Sequence, residues 1–298
     1  MTAPCWDDLI ASSGLERLDA RALLERVSGR SRTWLLAHGD EPVPAELARA
    51  FETLRVRRAR GEPLAYLTGV REFMGHRFAV SPAVLVPRPE TEHLVEAALT
   101  QGDAAAASGD LALAPGGEAG TARPLRLLDL GTGSGAIAVS LALARPGWQI
   151  LASDRSASAL EQAQANARSL GASGITWWLG DWWHALPCGS ERFDLIVSNP
   201  PYLAEEDPHL HDSALAHEPL GALVSGPSGL EAIEVIIAGA LGHLRPQGWL
   251  MIEHGHTQGS SVRQLMQQAG FEQVQTQCDL AGLDRVTMGQ SALRRSAD

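Results

Sequence analysis

Short apolar runs alternate with longer amphipathic segments through most of the second half of the chain. They predict strands at 125–130, 148–153, 175–179, 193–198, 248–253, 271–277 and 284–289, and helices at 135–145, 156–170, 228–243 and 259–269. Strands that alternate with helices in this way form βαβ units, whose parallel sheet is covered by helices on both faces. Because only the loop 279–283 separates the last two strands, we expect them to close the sheet as an antiparallel hairpin.

The first eighty residues follow a different, mostly helical pattern. Helices are predicted near 6–14, 19–28, 31–38 and 44–60, with Asp19 and Ser31 as N-caps and Pro44 in a first turn. The residues at 65–69 and 77–80 are β-rich and have glycines between them, at Gly69 and Gly75, so they predict a hairpin.

Two further segments connect these parts. Proline and acidic residues at 87–92 are typical of a helix start, and that helix is predicted to reach about Thr100. The Ala/Gly-rich stretch 102–124 predicts a flexible connection that buries little apolar surface. We therefore expect a helical domain with a hairpin at 1–85, a connecting helix and linker at 86–124, and an α/β domain at 125–298.

Composition narrows the chemistry that the chain can carry. Its 298 residues include 24 arginines, no lysine and 35 acidic residues, and the net charge is −11 at pH 7. The absence of lysine excludes a Schiff-base lysine, a P-loop lysine and a lysine general base. Residues 1–100 hold 13 arginines and 14 acidic residues, whereas the rest of the chain holds 11 and 21. Since no long basic segment is present, direct DNA binding is not expected.

One cluster of arginines has two interpretations. It consists of Arg55, Arg57, Arg58 and Arg60 and lies in the last predicted helix of the helical domain. Glutamates at 46, 52 and 62 are close in sequence, so we favour the solvated face of a helix over a surface for a partner.

Other protein classes are disfavoured by the rest of the sequence. The three cysteines, Cys5, Cys188 and Cys278, are too far apart for a disulfide framework or a CxxC metal motif. We find no signal-peptide pattern at the start and no apolar stretch of about 18 residues, so we expect a cytoplasmic protein without a membrane span. The pairs His209/His211 and His254/His256 lack a third ligand at a fitting spacing, so no metal site is expected.

A glycine-rich loop follows the first predicted strand of the α/β domain. It consists of Gly131, Thr132, Gly133, Ser134 and Gly135. Glycines allow a tight turn and a close approach of the backbone to a ligand. Asp154 ends the next predicted strand, where a carboxylate can accept hydrogen bonds from ribose hydroxyls. Through Ala136 the loop also satisfies the dinucleotide pattern GxGxx(G/A), so by itself it leaves NAD and S-adenosylmethionine equally open.

A second motif follows the fourth predicted strand of that domain and consists of Asn199, Pro200, Pro201 and Tyr202. Ligands of open parallel sheets bind at the carboxyl ends of the strands, so we expect this turn beside the glycine loop. The prolines fix the backbone and lack N–H groups. The side-chain oxygen of Asn199 and a proline carbonyl can therefore accept both hydrogens of one planar NH2 group, and Tyr202 supplies a flat wall.

Such a turn suits methylation of an amide or an exocyclic amine. These nitrogens are weak nucleophiles because their lone pair is delocalised. Two acceptors that hold the NH2 group orient the lone pair toward the methyl carbon and favour the positive charge that develops in the transition state. No strong base has to act first, which agrees with the absence of lysine.

Together the glycine loop, Asp154 and the Asn-Pro-Pro-Tyr turn resemble the class I S-adenosylmethionine-dependent methyltransferases with an NPPY motif. That group includes DNA adenine-N6 enzymes and protein glutamine methyltransferases. The upstream runs EPLAYLTG at 62–69, EFMG at 72–75 and VPRPETE at 86–92 narrow the resemblance to the HemK-type peptide chain release factor glutamine methyltransferases. It extends from about residue 60 to residue 289 without 102–124, and the helical start matches in pattern only. The resemblance implies a Rossmann-like, seven-stranded, mostly parallel sheet with a small helical N-terminal domain.

The resemblance also implies a reaction and a set of site residues. The reaction would be methyl transfer from S-adenosylmethionine to the glutamine side-chain nitrogen in the Gly-Gly-Gln tripeptide of bacterial class 1 release factors. Asn199 would hold the substrate amide, and Pro200, Pro201 and Tyr202 would shape its pocket. Cofactor contacts would come from Gly131, Thr132, Gly133, Ser134, Gly135, Asp154, Asp181, Trp182 and Asn199.

Physical chemistry agrees with the places given to Asp181 and Trp182 beside the adenine. Trp182 offers a ring face to adenine and to a cation, and Asp181 offers an acceptor to the adenine amino group. We expect the neighbouring Trp177, Trp178 and Trp183 to pack in the core. We also expect the helical domain to recognise the release factor, and the protein to be a monomer.

Three alternative functions remain open at this point. A binding-only module is disfavoured because acceptors arranged for an amide beside a cofactor loop have little use without a transfer reaction. A sister enzyme that methylates a glutamine of a ribosomal protein shares the Asn-Pro-Pro-Tyr turn, but the run at 86–92 and Glu253-His254-Gly255 favour the release-factor branch. An adenine-N6 nucleic-acid methyltransferase is disfavoured by the charge of −11. The chain departs from the family in the longer 102–124 segment and in His217, before Glu218, where many members carry an aromatic residue.

Overall fold

The computed structural model describes residues 4–107, 123–187, 189 and 192–293. Its first four helices are α1 (Trp6–Ser12), α2 (Arg17–Ser28), α3 (Arg32–Ala37) and α4 (Ala45–Ala59). Apolar residues at helical spacing, such as Ala20, Leu23 and Leu24, turn one face of α2 inward against Phe51 of α4. The helical segment therefore has a hydrophobic cluster of its own.

The caps of these helices only partly match the sequence prediction. Ser31 is the N-cap of α3, since its hydroxyl accepts a hydrogen bond from the Trp34 backbone N–H at 3.2 Å. The prediction for Asp19 is wrong, because α2 begins at Arg17 and Asp19 lies in its first turn. Its carboxylate accepts a hydrogen bond from Nε of Arg58 in α4 at 2.6 Å, so a tertiary ion pair takes the place of the cap.

The arginine cluster at the end of α4 is a solvated face only in part, since Arg57 and Arg60 are exposed whereas Arg55 and Arg58 are half-buried. Arg55 pairs with Glu52 at 2.6 Å and Arg57 with Glu62 at 2.5 Å, in addition to the Arg58–Asp19 pair. Such partly exposed pairs contribute only ~0–1 kcal/mol each to stability.

The predicted hairpin exists, but it begins later than expected. Residues Leu64–Thr68 form a short helix, α5, and the hairpin consists of β1 (Val70–Phe73) and β2 (His76–Ala79). Pro63 precedes this turn, and Gly69 ends it in the left-handed conformation at φ 77°. The helical turn also buries Tyr66, whose hydroxyl donates a hydrogen bond to the Val84 carbonyl at 2.6 Å. These tertiary contacts override the β propensity of the segment.

The connecting helix is longer than predicted. After one turn of 3-10 helix at Pro89–Thr91, α6 runs over Glu92–Ala107. The expectation of a flexible stretch from residue 102 is therefore wrong for 102–107, where alanines favour the helix and Gly102 lets it pack directly on the Trp148 ring. The remainder of the predicted linker up to residue 122 lies outside the described residues.

The α/β part contains the predicted seven-stranded sheet. Its strands are β3 (Arg126–Leu130), β4 (Gln149–Asp154), β5 (Ile175–Leu179), β6 (Phe193–Ser198), β7 (Leu244–Glu253), β8 (Glu272–Cys278) and β9 (Asp284–Gln290). Their order is β5-β4-β3-β6-β7-β9-β8, and β9 is antiparallel to both neighbours, which confirms the mostly parallel sheet and its closing hairpin. Its helices are α7 (Ala136–Ala144), α8 (Ala157–Leu170), α9 (Glu231–His243) and α10 (Gly259–Ala269).

Two hydrophobic clusters cover the two faces of the sheet. One joins it to α6, α7 and the hairpin, and the other joins it to α9 and α10. Trp177 packs against the first cluster, and Trp178 and Trp183 pack against the second, which confirms their predicted place in the core. On α8, the buried side chain of Asn166 holds both backbone groups of Ala79 and the carbonyl of Ser134, so it ties the hairpin to the glycine loop.

Strand register brings the chemically important residues to one edge. Leu130 at the end of β3 pairs with Ser153 of β4 on one side and with Ser198 of β6 on the other. Ser198 in turn pairs with Ile252 of β7. The next residues along these strands, Gly131, Asp154, Asn199 and Glu253, therefore lie side by side at the carboxyl edge of the sheet.

Candidate active site

A cavity at this carboxyl edge brings most of the predicted site residues together. It is lined by Gly131, Thr132, Gly133, Ser134, Asp154, Asp181, Trp182, Asn199 and Pro201. The segment before α6 also contributes to the lining through Val84, Leu85, Arg88 and Thr91, which sequence reasoning did not assign to the site. The run at 86–92 was a signal for part of this segment, but nothing local showed that it faces the cavity.

The glycine loop has the backbone that its sequence predicts. Gly131, Gly133 and Gly135 have φ angles of 75°, 56° and 79°, which residues other than glycine rarely adopt. The N–H groups of Gly131 and Thr132 both donate to the Ser153 carbonyl at 2.9 Å, so the turn is fixed against β4. A Cβ on Gly133 would meet nothing within 4 Å, which leaves open space beside the backbone.

Buried Asp129 supports the loop from below. Its Oδ2 accepts a hydrogen bond from the Thr132 hydroxyl at 2.7 Å. Complete burial raises the pKa of Asp129 to about 7, although the hydrogen bond from Thr132 lowers it in part. This residue fixes the loop from the core and was not assigned to the site from the sequence.

Asp154 lies at the rim of the same loop. One carboxylate oxygen accepts a hydrogen bond from the Gly133 N–H and the other from the Ser156 N–H, each at 2.9 Å. Each oxygen keeps a further lone pair, so the carboxylate can still accept a hydroxyl from a ligand in the cavity.

Trp182 forms one wall of the cavity. Its φ of 42° is in the left-handed region, where a tryptophan is strained. The ring lies against the loop, since a Cβ on Gly131 would be 3.4 Å from it. Asp181 precedes this residue and is exposed at the mouth of the cavity.

The side-chain amide of Asn199 uses its donor but not its acceptor. Its Nδ2 donates to the Thr91 hydroxyl oxygen at 3.1 Å. Its Oδ1 is buried and accepts no hydrogen bond from the described part of the chain. A buried acceptor without a donor is costly unless a ligand supplies the donor. The side chain of this cavity-lining residue therefore has a buried acceptor that is unused and a donor that is already engaged by Thr91.

Glu253 lies behind Asn199 and was noted in the sequence only as part of a family run. It ends β7 and is 1% exposed. Burial raises its pKa to about 7, while the nearby side chains of Thr91, Arg285 and Asn199 lower it in part. Its Oε2 accepts no hydrogen bond from the described residues. No local feature of the sequence indicates that Glu253 lies beside Asn199, because their proximity depends on the pairing of β6 with β7.

Three predicted residues do not line this cavity. Gly135 begins α7 and allows close packing on α8, since its Cβ would be 3.0 Å from that of Ala163. Pro200 is buried. Tyr202 lines a second cavity that shares Leu85 and Arg88 with the first, and burial raises its pKa to about 12. Tyr202 is therefore neutral near pH 7.

An ion pair joins the segment before α6 to the loop after the Asn-Pro-Pro-Tyr turn. Glu218 accepts hydrogen bonds from the Arg88 guanidinium at 2.5 Å and from the Val86 N–H at 3.2 Å. The carboxylate is almost fully buried, so the pair holds the two segments together over the cavity. Glu218 thus shapes the site through Arg88.

The described residues contain no group of three or more His, Cys, Asp or Glu side chains placed to hold a metal ion. The His254 ring nitrogens are engaged by the Gly255 carbonyl and the Thr287 hydroxyl. Over the same ranges, no helix combines the length and the apolar character needed to cross a bilayer.

Comparison with known proteins first identifies the general class of enzyme. A family model described as a methyltransferase domain matches residues 123–291. The crystal structure of a methyltransferase from Pyrococcus furiosus shares the fold, with a TM-score of 0.52 at 15% identity, covering 80% of this chain and 99% of that one. Fold and sequence together define a methyltransferase.

The sequence relatives then give the family. The PrmC N-terminal domain model matches residues 8–69. Release factor glutamine methyltransferases from Bordetella pertussis and Xylella fastidiosa (strain Temecula1) are 49% and 47% identical to this chain. The alignments cover 95% and 94% of this chain and 97% and 95% of the relatives. The chain belongs to the release factor glutamine methyltransferase family.

Proposed function

We propose that this protein transfers a methyl group from S-adenosylmethionine to the side-chain nitrogen of the glutamine in the Gly-Gly-Gln motif of bacterial class 1 release factors. The observation that carries the proposal is the buried Oδ1 of Asn199, a residue that lines the cavity, since this oxygen lacks a donor within the described structure. A primary amide supplies that donor. Membership of the family supports the same substrate.

The cavity fits S-adenosylmethionine. The glycine loop exposes backbone to the cavity with space at Gly133, and Asp154 and Trp182 offer an acceptor and a ring face on either side. We propose that Gly131, Thr132, Gly133, Ser134, Gly135, Asp154, Asp181, Trp182 and Asn199 form this site, with Gly135 acting through the loop backbone. When bound, the cofactor supplies a methyl group activated by a sulfonium centre.

The residues of the turn orient the substrate. Asn199 Oδ1 and the Pro200 carbonyl accept the two hydrogens of the glutamine NH2, so the lone pair is held toward the methyl carbon. Both acceptors also stabilise the positive charge that develops on nitrogen, and the proton is lost to solvent after the transfer. Pro201 and Tyr202 are walls that keep the amide in one plane.

We retain the predicted division of the chain as part of this proposal. Residues 1–85 recognise the release factor, 86–124 connect, and 125–298 carry the transfer. The protein acts as a monomer in the cytoplasm, where release factors work, and it does not bind DNA directly. The balanced charge of the first hundred residues suits a protein partner better than a nucleic acid.

A labelling assay tests the proposal. The protein is incubated with methyl-labelled S-adenosylmethionine and, in separate reactions, with a release factor, its Gly-Gly-Gln variant carrying Gln→Ala, ribosomal protein and DNA. We expect label in the unaltered release factor alone. Label in DNA or ribosomal protein, or label that survives the Gln→Ala change, would overturn the assignment.

A further inference from the structure

The Asn-Pro-Pro-Tyr turn is held at its start by the sheet, but the sheet does not reach its end. At the start, the turn continues β6, whose last residue, Ser198, is paired with β3 on one side and with β7 on the other. Pro200 and Pro201 carry no backbone N–H, so neither can donate a hydrogen bond that would fix the turn farther along. The position of the Pro200 carbonyl, a proposed acceptor for the substrate amide, therefore depends on what holds the turn at Tyr202.

The side-chain amide of Gln258 holds this end of the turn. Its Nε2 donates hydrogen bonds to the carbonyl of Tyr202 at 3.0 Å and to the carbonyl of Gly229 at 3.3 Å. Its Oε1 accepts a hydrogen bond from the Gly255 N–H at 2.9 Å. One side chain thus joins three backbone segments, which are the turn after β6, the residues before α9 and the loop after β7.

These three contacts assign the orientation of the Gln258 amide. A backbone N–H can only donate, so the Gly255 N–H faces the amide oxygen. The two carbonyls can only accept, so they face the NH2 group. If the amide were exchanged, its oxygen would face two carbonyl oxygens and its NH2 group would face an N–H. The amide therefore fits its three partners in one orientation only.

The backbone of Gln258 is held as well. Gln258 is the N-cap residue of α10, and its own N–H donates to the Gly255 carbonyl at 2.9 Å. Gly255 and Gln258 are therefore joined by two hydrogen bonds, one between backbone groups and one to the side chain. The Gly255 carbonyl also lies 2.9 Å from Nδ1 of the buried His254 ring. The amide is thus carried by a closed turn at the start of a helix.

The chain packs closely around the contact between Gln258 and the Tyr202 carbonyl. Gly229 is buried at a φ of 78°. A Cβ on this residue would be 2.5 Å from the Tyr202 carbonyl oxygen and 3.1 Å from Gln258 Nε2. Any side chain larger than hydrogen at position 229 would therefore push the turn away from the amide that holds it.

We infer that Gln258 is a positioning residue, which fixes the end of the Asn-Pro-Pro-Tyr turn so that Asn199 and the Pro200 carbonyl stay in place for the substrate amide. The inference rests on the proposed function, because it concerns the turn that would hold the glutamine. Gln258 lines the second cavity together with Tyr202, and it is absent from the lining of the first. It should therefore act on the orientation of the substrate and not on cofactor binding.

Steady-state kinetics with release factor at pH 8 test the inference. Gln258→Met removes all three hydrogen bonds at nearly constant size, whereas Gln258→Glu keeps the acceptor for Gly255 and replaces the NH2 group by an oxygen. In both variants kcat should fall about tenfold, the effect of one lost hydrogen bond on orientation. KM for S-adenosylmethionine should stay within about twofold. Full kcat in Gln258→Glu would show that the bond to Gly255 is sufficient, and it would overturn the inference.

Gln290→Met is the matched control. Gln290 is also a half-buried glutamine, and its Nε2 donates to the Gln247 carbonyl at 3.0 Å. It lies beside Trp249, near the opposite end of the sheet. This variant should lower the unfolding temperature without changing kcat. A loss of kcat equal to that of Gln258→Met would mean that the loss reflects general stability, and it would overturn the inference.

A second pair of variants tests the same contact from its other side. In Gly229→Ala the new Cβ should displace the Tyr202 carbonyl, so kcat should fall at least about tenfold, as expected for a misplaced substrate. Gly171→Ala introduces a side chain at a similar φ of 74°, but its Cβ would meet nothing within 4 Å. It should lower the unfolding temperature and leave kcat unchanged. Equal kcat in these two variants would contradict the role of the contact.

Hydrogen exchange of the protein without substrate separates this inference from the proposed function. The Leu203 N–H, next to Tyr202, donates to the Leu223 carbonyl at 2.9 Å. It should exchange about tenfold faster in Gln258→Met and at an unchanged rate in Gln290→Met. Faster exchange, together with no release-factor methylation by the unaltered protein, would refute the proposed function and leave the role of Gln258 in the turn intact. An unchanged rate in Gln258→Met would refute that role, whatever the enzyme methylates.

Discussion

The glycine loop and the Asn-Pro-Pro-Tyr turn lie side by side on neighbouring strands, but they are held in different ways. The loop is fixed mainly by its own backbone, with three glycines at positive φ and N–H groups bonded to Ser153. The turn contains two prolines as well, yet its important group is the side-chain amide of Asn199, which donates a hydrogen bond to Thr91, 108 positions away in sequence. The backbone of a glycine loop can thus be encoded locally, whereas the placement of a side-chain amide depends on residues from elsewhere in the fold.

The largest effect that this comparison predicts is at Asn199. Asn199→Ala removes the proposed acceptor for the substrate amide, so kcat should fall at least ~100-fold, as when an oxyanion-hole donor is removed. The Kd for S-adenosylmethionine, measured by calorimetry, should change by no more than about threefold. Ser198→Ala is the control, since its buried hydroxyl bonds to the Leu130 carbonyl, outside the cavity. Retained turnover in Asn199→Ala would show that the reaction does not need Asn199 to hold the substrate amide.

The glycine loop offers a matched pair for the opposite case. Gly133→Ala and Gly135→Ala both place a side chain at positive φ, at a cost of ~1–2 kcal/mol. At Gly135 the new Cβ also comes within 3.0 Å of the Ala163 Cβ and 3.2 Å of its Cα. This overpacking adds ~1–3 kcal/mol to the loss. Urea unfolding without cofactor should therefore show the larger loss for Gly135→Ala, and equal losses would contradict a packing role for Gly135.

The same comparison explains what the sequence could predict. The strands and helices of the α/β part were predictable because apolar periodicity is local, and the glycine loop because each glycine carries its own conformational freedom. The short helix α5 was missed, since five residues between Pro63 and Gly69 are too few to establish a period and the burial of Tyr66 decides their structure. Asp19 was misassigned because a partner 39 positions away binds its carboxylate.

The surroundings of Asn199 show the same limit of sequence-based prediction at the site itself. Asn199 was predictable from the turn that contains it. Its position beside Glu253 follows from the Ser198–Ile252 pairing, and its hydrogen bond to Thr91 follows from the docking of the segment before α6. Neither arrangement leaves a pattern in the residues next to Asn199, so a single sequence could not show which groups surround its amide.

Asp154 should show an intermediate effect that is confined to the cofactor. Asp154→Asn retains one acceptor oxygen for two backbone donors, Gly133 and Ser156, and removes a negative charge from the rim. The Kd for S-adenosylmethionine should rise about tenfold, and kcat at saturating cofactor should stay within about threefold. Asp181→Asn, at an exposed position of the same cavity, should raise the Kd by less. A larger effect at Asp181 would move the main acceptor from β4 to the end of β5.

The smallest effect is expected at Trp182, where a ring rather than a charge or an acceptor is at stake. Trp182→Phe keeps an aromatic face against Gly131 but reduces its area, so the Kd for S-adenosylmethionine should rise about threefold, which is within the range for aromatic contacts. Trp183→Phe is the matched control, because Trp183 stacks on His243 and donates to the Val235 carbonyl outside the cavity. It should lower stability and leave the Kd unchanged. If Trp182→Phe lowered kcat instead of affinity, the ring would act on the substrate amide together with Asn199. The distinction between the locally encoded glycine loop and the Asn199 site, which depends on distant residues, would then not hold for Trp182.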